Sequence, residues 1–239
     1  MGECAMPEWL DLSAAVVGAF AGVLVGQKYK LDLVGFVAMC LICALGGGLL
    51  RDAIMQVGSV YALDSPWPIP LCVITALIGF CFPSFVSHFP NLYEWVDMIS
   101  VALYVIAGTD KAINHELFAS SVVLMGTITG VGGGMLCDVF LGEVPRVFRR
   151  SNYYALCAVL GSICYCLLVS YLELDRTVSS IATIVVMLLL RQLSLRLDLK
   201  SPSEVDLEPT VMRTGRRFVS KALEHRRSSD DDQDKDTKR

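Results

Sequence analysis

The sequence predicts an all-α integral membrane protein of seven transmembrane helices, built as two inverted three-helix repeats followed by a seventh helix. Three observations predict it. The chain of 239 residues is 54% hydrophobic and only 18% charged, too apolar for a water-soluble domain. Seven apolar stretches run along its body. The chain also copies itself without a gap 86 residues on: Glu8, Trp9 and Asp11 recur as Glu94, Trp95 and Asp97, and Ala21-Gly22 as Ala107-Gly108. Val37 and Met39 recur as Val123 and Met125, Gly46-Gly47-Gly48 as Gly132-Gly133-Gly134, and Asp52 as Asp138. Duplication in an apolar chain marks membrane proteins whose pathway runs between two halves.

The stretches are residues 10–26, 33–50, 69–86, 96–112, 117–136, 153–171 and 178–190. About 20 residues cross a hydrocarbon core of ~30 Å, and the last stretch needs its flanks to do so. The first lacks a basic leader and a small-residue cleavage site and is repeated at 96–112, so it reads as a structural span and not as a signal peptide. The organisation expected is a first repeat over residues 1–90, a second over 91–175, a seventh helix over 176–198 and a cytoplasmic tail over 199–239. Trp9, Trp67 and Trp95 sit at span starts, where aromatic side chains anchor to the membrane interface.

Lysine and arginine set the orientation. Lys28, Lys30, Arg146, Arg149, Arg150, Arg191, Arg196 and Lys200 fall on one side, against Arg51, Lys111 and Arg176 on the other. The positive-inside rule then places the amino terminus outside and the carboxyl terminus in the cytoplasm of a plasma-membrane protein. Each repeat holds an odd number of spans, so the second copy enters from the opposite face and a pseudo-two-fold axis lies in the membrane plane.

The glycine triplets are candidate pathway elements. Each glycine is about 1 kcal/mol worse than alanine for helix formation, and backbone weakened at membrane depth survives where neighbours or a wet cavity satisfy it. Close helix packing is the other use of such residues. Because the triplets recur at equivalent positions, each followed by an acid, Gly46, Gly47, Gly48, Gly132, Gly133 and Gly134 are expected to kink pore-lining helices.

Arg51, Asp52 and Asp138 lie within about one turn of apolar sequence, where ionisable groups face a cavity or a partner. In the second copy Cys137 stands in place of Arg51. One cation among two carboxylates leaves a local charge of about −1, favouring a cation over an anion. Arg51 is expected to pair with Asp138 across the repeats, with Asp52 facing the water path. Helix-end charge at the membrane surface is the alternative. Asp110 and Lys111, and Lys28, close the fourth and first spans and are weaker vestibule candidates, since lysines there snorkel to headgroups.

At these residues the chain resembles a known family. Leu45-Gly-Gly-Gly-Leu-Leu-Arg-Asp52 and Thr127-Ile-Thr-Gly-Val-Gly-Gly-Gly-Met-Leu-Cys-Asp-Val-Phe-Leu-Gly-Glu-Val-Pro145 look like the two signature segments of the prokaryotic trimeric intracellular cation channel family, also catalogued as a glycine transporter domain. Ala107-Gly-Thr-Asp-Lys-Ala112 fits the family's pattern at the fourth span. The resemblance, over about residues 8–195, implies a homotrimer with seven helices and an hourglass pore per subunit. It further implies second and fifth helices bent at the glycines, and passage of monovalent cations such as potassium. The family usually keeps an arginine where Cys137 stands, which puts that charge's role in doubt. Inverted repeats also make carriers, and a small amino acid (glycine) transporter is the alternative function; a structural scaffold is a third.

Enzyme readings fail on spacing. Cys40 and Cys43 form a C-x-x-C inside an apolar helix with no second ligand pair, and they read with Cys72, Cys81, Cys137, Cys157, Cys164 and Cys166 as free apolar side chains. His88, His115 and His225 show no ligand or triad spacing. The triplets lack the lysine and strand context of a phosphate loop. No enzyme activity, metal, cofactor or nucleic acid is expected; the expected partners are membrane lipid, monovalent cations and further copies of the chain. In the tail, residues 211–227 carry Arg213, Arg216, Arg217, Lys221, Arg226 and Arg227 against apolar neighbours. They can lie on an anionic leaflet, and 228–239 are expected to be disordered.

Overall fold

The computed structural model describes residues 8–82, 92–148 and 154–196, and these are all-helical. Eight helices occur among them: α1 Glu8–Lys28, α2 Leu33–Met55, α3 Tyr61–Asp64, α4 Pro68–Cys81, α5 Leu92–Asn114, α6 Ala119–Phe140, α7 Tyr154–Ser170 and α8 Arg176–Arg196. By internal contacts the chain divides into Met1–Ser201 and Pro202–Arg239. The end of the third apolar stretch (83–86), Arg149, Arg150, Tyr153 and the whole tail from residue 197, with its basic and acidic segments, lie outside the described residues.

Seven helices overlie the seven expected stretches, and the one-turn α3 is an addition. Four are long and apolar enough to cross a membrane by length and composition: Leu10–Lys28, Leu33–Met55, Ala119–Phe140 and Arg176–Arg196. The chain is a multi-pass membrane protein. Local chemistry sets the helix ends. Asp32 caps α2 by accepting from the Gly35 N–H at 2.9 Å, and the helix stops where Gln56 turns left-handed at φ 50°. Prolines open α4, where a missing N–H costs nothing. Two buried hydroxyls are satisfied inside their own helices, Thr109 donating to the Val105 carbonyl and Thr129 to the Met125 carbonyl, each at 2.6 Å.

Several helix ends differ from expectation: α4 stops at Cys81 and α8 runs on to Arg196. α2 runs on to Met55 and α6 to Phe140, so Arg51, Asp52 and Asp138 are buried inside helices. The apolar pattern stops at these charges, but the helix does not, because each charge finds a partner.

α1 packs on α5 with the chains running in opposite directions. Leu10 and Ala14 meet Leu103, Ile106 and Ala107 in one cluster, while Ala21 and Leu24 meet Val96 in another. The same antiparallel sense holds for α2 and α6. A methyl group built on Gly47 would lie 2.2 Å from the Thr129 carbonyl oxygen, and one on Gly133 2.5 Å from that of Cys43. Likewise Gly46 would meet Leu136 at 2.9 Å and Gly132 would meet Leu50 at 3.0 Å. The contacts of Gly47 and Gly133, and those of Gly46 and Gly132, are copies of each other 86 residues on.

Beside the expected kink, the triplets have a second use, in helix contact. Both helices are hydrogen-bonded without interruption through their triplets, and the first two glycines of each triplet let backbones touch, as small residues do in membrane helix pairs. Only the third escapes the crossing: Gly48 has nothing within 4 Å of an added methyl, and Gly134 faces the Arg146 guanidinium at 3.2 Å.

The cysteine reading also changes. Cys43 of α2 and Cys137 of α6 form a disulfide, with Cα atoms 5.8 Å apart, within the usual bridging range. The antiparallel crossing brings together two residues 94 apart in sequence. Cys40, Cys72, Cys81, Cys157, Cys164 and Cys166 are free.

Candidate functional site

α1 and α5 begin with duplicated acids, Asp11 and Asp97, and α2 and α6 end with Asp52 and Asp138. Since equivalent helices run antiparallel, Asp11 and Asp52 gather at one end of the bundle and Asp97 and Asp138 at the other. Each pair is clamped by an arginine.

At the first end Arg51 is 1% exposed. Its Nε donates to Asp52 Oδ1 at 2.7 Å and its Nη1 lies 3.5 Å from Asp11 Oδ1. Lys111 of α5 reaches Asp52 at 2.8 Å, and the Tyr61 N–H donates to the same carboxylate at 3.0 Å. Two acids thus meet two bases.

At the second end no arginine is available on α6, because Cys137 holds that position. Arg146, from the loop after α6, supplies the charge. Its backbone N–H donates to Asp138 Oδ2 at 2.8 Å, its Nε lies 3.3 Å from the same oxygen, and Nη1 lies 3.4 Å from Asp97 Oδ2. The guanidinium also stands over the Tyr93 ring at 5.1 Å and the Tyr154 ring at 5.9 Å, within cation–π range. Burial, the largest single influence, would lower the pKa of Arg146; the Asp97 carboxylate and the other groups around it, Asp138 among them, together outweigh that and raise it, so the side chain stays charged. Tyr29 donates to Glu143 nearby, and Arg191 of α8 covers the other approach to Tyr154 at 5.5 Å.

The expected Arg51–Asp138 pair is therefore absent. Arg51 and Asp138 belong to opposite ends: Asp11 and Asp52 face Arg51 and Lys111 at the first, while Asp97 and Asp138 face Arg146 at the second. Asp52 is held by Arg51 and Lys111 and is 6% exposed. Asp110 is not beside Lys111 in function: Arg176 of α8 bridges both its oxygens at 2.7 Å, with Tyr165 at 3.0 Å and Asn114 at 3.0 Å. Lys28 is exposed over the Tyr29 ring at 5.1 Å, away from both arginines' carboxylates.

A cavity of about 20 Å³ lies between α1, α2, α5, α6 and α7, lined by Asp97, Ser100, Tyr104, Gly134, Arg146 and Tyr154 among others. That is room for about one water. Among the described residues, no group of three histidine, cysteine or acidic side chains could hold a metal ion. Sequence reasoning listed neither Asp11 nor Asp97 as a site residue, although duplicated acids in apolar spans were the signal. It also missed Arg146 and Arg176, whose roles depend on loops folding back.

Fold and site define a class: a duplicated, all-helical membrane protein whose copies cross antiparallel and carry a charged clamp at each end. The family model described as Glycine transporter matches twice, over residues 8–84 and 94–170, and the chain belongs to this family. It is 30% identical over 196 residues to the UPF0126 inner membrane protein YadS of Escherichia coli (strain K12), covering 82% of this chain and 94% of that protein. A UPF0126 membrane protein of Deinococcus radiodurans is 32% identical over 156 residues, 64% of this chain and 72% of that one. Among solved structures, the TRIC trimeric intracellular cation channel orthologue from Rhodobacter sphaeroides superposes with a TM-score of 0.71 at 25% identity, covering 80% of this chain and 98% of that one. A prokaryotic TRIC channel crystallised in 0.5 M KCl gives 0.68 at 27% identity, covering 80% and 96%.

Proposed function

We propose that this protein is a monovalent cation channel of the plasma membrane, with potassium as its ion and one pathway in each subunit of a homotrimer. Two inverted three-helix repeats flank the pathway, and a seventh helix follows them. The observation that carries the reading is the antiparallel crossing of α2 and α6, with a carboxylate pair at each end and a small cavity beside the Asp97 end, bordered by Gly133 and Gly134. Acids at both mouths concentrate cations and repel anions. Asp52 and Asp138, with Gly48 and Gly134 clear of the helix contact, border this path; Asp110 and Lys111 stand beside its first mouth. The distribution of lysine and arginine favours an external amino terminus and a cytoplasmic carboxyl terminus. Solved relatives described as trimeric cation channels support both the ion class and the assembly.

Flux into liposomes holding purified protein tests this. Electrogenic potassium entry that collapses an imposed gradient is expected, while chloride stays excluded. Saturable glycine exchange without current would replace the channel by a carrier, the reading that the family's name favours.

A further inference from the structure

The duplication leaves the two ends of the α2–α6 crossing fastened in different ways. At the first end Arg51 is held by charge, its Nε donating to Asp52 at 2.7 Å. At the second end the copy of Arg51 is Cys137, which is bonded to Cys43, and the copy of Cys43 is Thr129, whose hydroxyl donates within its own helix. These paired positions thus carry two thiols at the second end and none at the first. The two sulfurs differ in access. Cys43 lines the cavity of about 20 Å³ together with Gly133, Gly134 and Arg146, whereas Cys137 is 1% exposed and outside that lining. Space for about one water favours an oxidant as small as hydrogen peroxide over a peptide thiol or disulfide. On the orientation proposed above this end faces the cytoplasm, where thiols are kept reduced and a disulfide, when it forms, commonly reports an oxidant.

We infer that Cys43 and Cys137 are a peroxide-oxidised thiol pair, and that the bond they form holds α2 against α6 and narrows the cation pathway. This rests on the channel reading and adds a chemical control to it. The Cys43 sulfur attacks one oxygen of hydrogen peroxide and the O–O bond breaks. The departing hydroxide leaves as water with the thiol's proton, and Cys43 becomes a sulfenic acid. Cys137 then attacks the Cys43 sulfur: the S–S bond forms, the S–O bond breaks, and a second water carries off the Cys137 proton. Two thiols are oxidised and one peroxide is reduced to two waters. A dithiol reverses the step by exchange, leaving as its own cyclic disulfide; this is slow, because so large a molecule must wait for the crossing to part. Two thiols carry two hydrogens and no bond between their sulfurs, so the reduced pair takes more room. It takes that room beside Gly133, where an added methyl would already lie 2.5 Å from the Cys43 carbonyl oxygen.

Potassium flux through liposomes holding protein purified in dithiothreitol tests the switch. Brief hydrogen peroxide should lower the flux severalfold while the linked Cys43–Cys137 peptide appears, and prolonged dithiothreitol should reverse both. Oxidised glutathione, too large for the cavity, should change neither over the same time, a selectivity that a merely structural bridge would not impose on flux. In Cys137→Ser the flux should stay high in peroxide, and dimedone, which traps sulfenic acid, should mark Cys43; in Cys43→Ser it should leave Cys137 unmarked. The free cysteines remain in both variants, so a response of theirs would persist there. Equal flux of reduced and bridged wild type, the same peroxide response in Cys137→Ser, bridging by oxidised glutathione as fast as by peroxide, or dimedone on Cys137 overturns the inference and leaves the channel intact. Where the serine variants do not fold, the wild-type cycle decides: flux that does not follow the bridged fraction overturns the switch. Absence of potassium flux in every redox state overturns both.

Discussion

Gly47 and Gly133, equivalent positions of the duplication, lie face to face: a methyl group on Gly47 would stand 3.4 Å from the Gly133 nitrogen, and one on Gly133 3.7 Å from the Gly47 nitrogen. The two meet where α2 crosses α6, and no side chain larger than hydrogen fits between the helices there.

Replacing Gly47 or Gly133 by alanine should push α2 from α6, because the new methyl would meet carbonyl backbone at 2.2 or 2.5 Å, which cannot rotate away. Overpacking of this kind costs about 1–3 kcal/mol. Gly48→Ala should behave oppositely, since that position is open and alanine gains about 1 kcal/mol in helix propensity. Thermal unfolding in detergent should place Gly48→Ala at or above the wild type and the other two below it. Equal melting of all three would show that the crossing tolerates separation.

Arg51 is the most deeply buried charge of its clamp, and removing it leaves Asp52 short of its 2.7 Å partner. Breaking a buried pair costs about 3–5 kcal/mol. Arg51→Ala should therefore lower the melting temperature strongly, and Asp52→Asn added to it should recover part of the loss, a coupling that a double-mutant cycle reads. Lys28→Ala, exposed beside Tyr29, should cost below about 1 kcal/mol.

The helices were legible because apolar runs mark buried or lipid-facing segments: seven helices lie where the apolar stretches run, and four of them are long and apolar enough to cross a membrane. The ends were not legible: the windows stop at Leu50 and at Leu136, while the helices continue to Met55 and Phe140 with their charges paired. The glycines were ambiguous for a physical reason. A helix that bends and a helix that must be touched both call for a missing side chain, and the carbonyls of Thr129 and Cys43 facing Gly47 and Gly133 show the second use. Charge pairing was misread because Asp52 and Asp138 look like neighbours in an aligned duplication, whereas antiparallel copies send them to opposite ends. Arg146 has no counterpart in the first copy, so duplication could not reveal it.

The Cys43–Cys137 disulfide closes a 94-residue separation across α2 and α6. Digestion of the unreduced protein should yield a peptide carrying Cys43 linked to one carrying Cys137, and this species should vanish in Cys137→Ser. Chain-entropy reasoning assigns about 4–5 kcal/mol to a loop of this length. Reduction should therefore lower the melting temperature of the wild type and leave Cys137→Ser unchanged. Two separately alkylated peptides from unreduced protein would contradict the bridge.

Arg176 joins α8 to the duplicated body through a planar fork, both Asp110 oxygens lying 2.7 Å from its Nη1 and Asn114 accepting from Nη2 at 2.7 Å. Lysine carries the same charge but cannot present two coplanar donors to a carboxylate and an amide together. Arg176→Lys should thus cost about 1.5–3 kcal/mol, the worth of a charged hydrogen bond. Asp110→Asn should cost more, since it leaves a guanidinium facing a neutral group and disturbs Tyr165 as well. Because α8 lies outside the duplicated segments, its loosening should appear first as protease cleavage near residue 176, with the α2–α6 disulfide still formed. Melting of the whole bundle in one step, without prior cleavage there, would mean that α8 is bound chiefly by its apolar contacts and that the fork adds little.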